Sequence, residues 1–235
     1  MRKLVVALVS LLLALPGAGQ EAGGFDDFLK PPPKVAPESG LSLGVRVGYG
    51  VPMGSASGAD GQALSNYFAR SVPLQVEVGW RFSPRFYAGA YFQYAFAAIA
   101  SKFDSQFCGA GVSCSGSDLR FGADAIYTFL PHATIAPWVG LGAGYEIMNL
   151  RGSQGSQRVE LTLKGLEFAH VMAGADYHLW PRFRVGVFTA LTLAQFSSLE
   201  TPFDENGAFG PTRTVDVPKA LHEWLQFGVR SMVDF

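Results

Sequence analysis

Apolar and polar residues alternate one for one through most of the chain beyond residue 40. In the stretch 221–235, Leu225, Phe227, Val229, Val233 and Phe235 share one parity, while Gln226, Gly228, Arg230 and Asp234 share the other. A period of two marks a β-strand with one apolar and one polar face. The same alternation runs through 41–51, 72–82, 86–96, 118–130, 134–147, 165–179 and 183–196. Ser83-Pro84-Arg85, Pro131-His132-Ala133 and Trp180-Pro181-Arg182 read as tight turns. The segments 52–70, 97–117, 148–164 and 197–220 are rich in Gly, Ser, Pro and polar residues and read as long loops. Eight strands joined alternately by long loops and short turns predict an all-β chain, folded as an eight-stranded antiparallel up-and-down barrel.

Parity alone does not say which face looks outward. A soluble lipocalin-like barrel puts the apolar face inside. Here the polar face is lined by Gly44, Gly48 and Gly50 on the first strand and by Gly140, Gly142 and Gly144 on the fifth. Glycine weakens a wetted strand but suits a cramped interior. The apolar face ends in aromatics near the short turns: Trp80, Phe82, Phe86, Phe129, Tyr177, Phe183 and Phe235. That arrangement matches an interfacial girdle around a membrane-spanning barrel. Composition agrees, with 49% hydrophobic but only 16% charged residues, against about 25% charged in a soluble domain. A transmembrane barrel is therefore expected.

The alternating 221–235 stretch with its final Phe235 resembles the closing strand of bacterial outer-membrane β-barrels. Residues 41–235 as a whole resemble the small eight-stranded barrels of the OmpA/OmpX type, and Ala136 to Tyr145 looks like one of that family's strands. The resemblance implies a Gram-negative outer membrane, a monomer, and contact with membrane lipid and lipopolysaccharide. It also implies that Phe227, Val229, Val233 and Phe235 are the assembly signal read by the barrel-assembly machinery. Short turns and both termini would lie in the periplasm. Larger members add a peptidoglycan-binding domain after the barrel; this chain stops at the last strand.

The N-terminus reads as an export signal over residues 1–19. Arg2 and Lys3 precede an apolar run from Leu4 to Leu15, and Pro16 to Gln20 is a small-residue cleavage zone. That run is shorter than the ~20 residues of a spanning helix, and a retained anchor is the alternative. The cleavage zone contains no cysteine, so no lipoprotein anchor is expected. Residues 20–40, with Pro31 to Pro33 and Pro37, read as an extended periplasmic tail. Cys108 and Cys114 in an exported loop read as a local disulfide rather than a zinc site.

Candidate chemistry is sparse. Arg46, Glu77, Arg81, Asp124, Asp176, Arg184 and Arg230 fall on the inward parity, and eight strands leave a lumen just wide enough for side chains to fill. A salt-bridged plug is expected, with a narrow solute channel as the alternative. Some small barrels of this type are lipid A acyltransferases or deacylases. The resemblance would then point to His170 and His222 with Glu146, Glu167 or Glu223, although no local Ser/His motif is present. No metal or cofactor is expected, and a net charge of −1 gives no reason to expect a nucleic-acid partner. The loops carry Phe103, Phe107, Phe203, Phe209, Asp204, Glu205 and Arg213, which could meet an extracellular ligand. The expected role is structural or adhesion-like, without catalysis.

Overall fold

The computed structural model describes residues 39–59, 61–101, 103, 108, 111–154, 157–203 and 209–235. The signal-like segment 1–19, most of the tail 20–40, and Phe107, Asp204 and Glu205 lie outside the described residues. Among the described residues nine strands run in order: β1 (Gly40–Gly54), β2 (Phe68–Arg81), β3 (Phe86–Ile99), β4 (Ser113–Thr128), β5 (Ile135–Gln154), β6 (Gln157–Trp180), β7 (Phe183–Phe203), β8 (Phe209–Asp216) and β9 (Leu221–Asp234). No helix among the described residues is long and apolar enough to cross a membrane.

Each strand from β1 to β7 pairs antiparallel with the next, and β9 pairs with both β7 and β1. Eight staves therefore close into a ring, and β8 hangs from the end of β7 outside it. From Arg46 the register runs one way through Gln75, Gln93, Arg120, Glu146 and Gly165 to Phe196. It runs the other way through Arg230 to Gly186, ten residues from Phe196 on the same strand. That stagger requires the staves to tilt, by about 35–45° in barrels of this kind.

The barrel is apolar outside and polar inside. Val45 and Val47 are 42% and 43% exposed, whereas Arg46 between them is 2% exposed. Such an exterior is costly in water and suited to hydrocarbon. Aromatics crowd its short-turn end, including Trp80, Phe82, Phe86, Phe129, Trp180 and Phe235. Phe227, Val229 and Phe235 project from this outer surface. The barrel is thus an eight-stranded antiparallel transmembrane fold, with three tight turns at one end.

The other end differs from the sequence expectation. Segment 148–164, expected as a loop, is the top of the β5–β6 hairpin. Segment 197–220, also expected as a loop, contains the end of β7 and all of β8. The reason is a change of solvent along one strand. Below Ile147, β5 turns apolar side chains outward; above it, Asn149 and Arg151 face out while Met148 and Leu150 turn in. The alternation inverts where the strand leaves hydrocarbon, so no single pattern covers it.

Candidate functional site

The lumen is filled in layers. At the short-turn end, Asp234 accepts from Ser42 at 2.6 Å and pairs with Arg81 at 3.2 Å and Arg184 at 3.3 Å. Next, Arg230 makes a two-pronged pair with Asp176 at 2.8 and 2.9 Å and lies 3.8 Å over the Trp138 ring. The Trp138 indole donates to the same carboxylate at 3.0 Å. In the middle, Arg46 pairs with Glu77 and lies 3.5 Å from Asp124. All seven residues expected on the inward face are therefore buried there. Arg230 is the register partner of Arg46 but is neutralised by Asp176.

Above these lies a second network. Arg120 reaches Asp118 at 2.9 Å and Glu146 at 2.8 Å, and donates to Thr192 at 3.2 Å. Glu146 is 2.7 Å from His222 Nε2. His170 Nδ1 is 2.8 Å from Glu167 and 3.3 Å from Thr192 Oγ1. The alternation alone marks Asp118, Arg120 and Asp234 as inward, and the interior set expected from sequence omits them. Glu167 escapes parity because the register slips between Glu167 and Ala169.

An apolar cap closes the barrel over this network. Leu64, Phe68, Met148, Phe196 and Trp224 form its core, with Leu150, Ala56 and Ala97. Phe196 stacks on His222 at 4.1 Å, and Trp224 covers Arg120 at 5.4 Å. The histidines weighed as rim catalysts are therefore beneath the cap, and neither is more than 2% exposed. Thr192 and Glu167 both meet the same nitrogen of His170, so the ring does not relay a proton from hydroxyl to carboxylate through its two nitrogens. Glu223 lies on the opposite face from its neighbour His222.

Beyond the cap the sheet continues as a wall. β5, β6 and β7 have 20, 24 and 21 residues, while spanning a membrane takes about 9–11. Outward pairs lace the wall: Arg151 with Glu160 at 2.9 Å, and Lys164 with Glu200 at 2.5 Å. The Cys108–Cys114 disulfide is present beside the wall, with Cys114 paired to Gly152 near the tip of the β5–β6 hairpin. A cavity of about 260 Å³ opens beside it, lined by Phe103, Val112, Cys114, Leu150, Val159 and Leu161, with Arg151, Ser153 and Gln154 among its polar neighbours. Of the expected loop residues, Phe103 lines this cavity, and Phe209 and Arg213 sit on β8. Phe203 ends β7.

Neither a protein-family model nor a curated protein matches the sequence. Among solved structures, a major outer membrane protein from Thermus thermophilus superposes with a TM-score of 0.50 at 12% identity, covering 84% of this chain and 99% of that one. Neisserial surface protein A gives 0.46 at 15% identity, covering 86% of this chain and all of that one. OprG from Pseudomonas aeruginosa gives 0.44 at 13%, over 86% and 100%. At these identities the likeness concerns the fold: the chain has the fold of small bacterial outer-membrane barrels.

Proposed function

We propose that the chain is an outer-membrane surface protein whose work is done by the wall, in a structural or adhesion-like role, with the lumen serving as a rigid foundation. The observation that carries this reading is the paired sheet of β5 to β8 standing past the apolar belt. An ordered sheet is a costly way to join two membrane strands, since a short turn suffices at the other end. Residues held on a rigid scaffold are where binding concentrates. On this reading residues 1–19 are an export signal and 20–40 a periplasmic tail. The short turns and both termini face the periplasm, and the wall faces the exterior. Phe227, Val229, Val233 and Phe235 are the assembly signal, and lipid and lipopolysaccharide surround a monomer.

The test replaces residues 197–217 with a short turn in cells that display the protein. Ring closure uses β7 only up to Gln195, so the variant should keep its heat-modifiable gel migration. It should lose binding to a panel of immobilised surface glycans and matrix proteins that the wild type retains. Equal binding by both would overturn the reading. So would a stable pore in bilayer recordings of the wild type, or lipid A acylation that changes when the protein is expressed.

A further inference from the structure

We propose that the network under the apolar cap is a two-proton store, and that holding those protons keeps the capped end of the barrel shut. The network contains one guanidinium, Arg120, against three carboxyl groups, Asp118, Glu146 and Glu167, all fully buried. With the carboxyl groups ionised and both imidazoles neutral, it carries two uncompensated negative charges. Each such charge is strongly disfavoured out of water.

The neighbouring layers do not supply the balance. Arg46 stands between Glu77 and Asp124, and Arg230 is taken up by Asp176. Arg81 and Arg184 flank Asp234 at the far end. Two imidazoles are present, and each contacts one surplus carboxyl group: His222 with Glu146 at 2.7 Å and His170 with Glu167 at 2.8 Å. One added proton per pair makes the network neutral, whether it rests on nitrogen or oxygen.

The groups facing each imidazole are few. His222, on β9, meets Glu146 from β5 and the Phe196 ring from β7. Arg120, from β4, binds the same Glu146. His170, on β6, meets Glu167, Thr192 from β7 and the Tyr91 ring from β3 at 5.7 Å. Arg120 donates to that same Thr192; Asp118 from β4 faces Glu146, and Asp124 from β4 and the Tyr91 hydroxyl face Glu167. His170 Nε2, Glu167 Oε2 and His222 Nδ1 have no hydrogen-bond partner among the described residues.

The store touches the cap directly. Phe196 stacks on His222, and Trp224 covers Arg120. Losing its proton leaves the His222–Glu146 pair charged beside the Phe196 ring, and the His170–Glu167 pair charged beside the Tyr91 ring. Phe196 and Trp224 are the cap rings that would move to let water reach the network.

An unfolded chain near neutral pH holds neither proton, because free carboxyl groups titrate near pH 4 and free imidazole near 6.5. Folding therefore takes up two protons, and stability falls as pH rises. The folding equilibrium constant drops up to about 100-fold per pH unit, about tenfold for each proton. Below about pH 6.5 the unfolded imidazoles are protonated too, and this contribution is fully present and flat.

The test follows the urea midpoint of protein refolded in detergent micelles, from about pH 6 to about pH 10, together with acrylamide quenching of tryptophan and bilayer conductance. The wild type should lose stability as pH rises, with rising quenching and brief openings at the alkaline end. Glu146→Gln with Glu167→Gln removes both surplus charges and should flatten the dependence and keep the end shut. Glu167→Gln alone should halve the logarithmic slope, so the proposal stays testable if the double variant does not fold. Replacing both histidines by Gln should weaken the barrel already at neutral pH. A flat wild-type profile, or an unchanged slope in Glu167→Gln, overturns the proposal. A midpoint that follows sodium or a chelator instead of pH also overturns it, by assigning the balance to a bound cation.

Discussion

At the scale of single residues, the inner wall is shaped by where a Cβ is missing. The Tyr87 ring lies across Gly79 and Gly89, and the Tyr91 hydroxyl lies against Gly122 and Gly144. A Cβ on Gly122 would meet the Ala143 carbonyl, the Gly144 Cα at 2.6 Å and the Tyr91 oxygen at 2.8 Å. Two of those three are backbone, which has little room to give. Gly122→Ala should therefore lower stability by about 1–3 kcal/mol, as overpacking does. Gly210→Ala on β8 meets nothing within 4 Å and should leave the urea midpoint near that of the wild type. These glycines are readable as an interior face from the sequence, as are the inward arginines. The pairing is less legible. Arg230 and Arg46 are register neighbours, but which carboxylate each takes depends on rotamers that parity does not encode. The inward face of Glu167 is not readable from alternation, because a one-residue slip near Ala169 reverses it.

At the scale of elements, the membrane sets which strands can be read. Within the belt, outward and inward positions face hydrocarbon and a polar lumen, so the alternation is strong and eight staves emerge from it. Above the belt, the outward positions become polar, and inward ones such as Met148, Leu150, Leu161 and Leu163 pack into the cap. The contrast reverses, and Gly, Ser and Gln near the hairpin tip complete the likeness to a loop. Hydrogen exchange separates the two descriptions. Amides of residues 148–153 and 158–164 should exchange at least about tenfold more slowly than those of the turn residues His132 and Arg182. Equal rates would return the segment to a loop.

At the scale of the whole molecule, the barrel has a polar core and an apolar cap, the reverse of a soluble domain in its middle and its equal at one end. Neutralising one member of the middle layer tests whether the layers act as a plug. Glu77→Gln leaves Arg46 with Asp124 at 3.5 Å and should cost about 1–3 kcal/mol, read as a lower midpoint. Bilayer recordings of this variant at neutral pH should still show no steady pore, since the cap and the Arg120 network are untouched. The make-up of the wall's surface is not legible in the sequence either. It depends on side chains brought together across hairpins, such as Phe103 with Val159. The closure of the ring has a further consequence in time. Ser42 and Asp234 are 192 residues apart and yet hydrogen-bonded, and β1 has no second partner until β9 arrives. Contacts of such long range form late and slowly. For that interval β1 and β7 are bare sheet edges, each able to accept a strand from another chain. Shielding those two edges is therefore as much a requirement of this architecture as the lipid that later surrounds it.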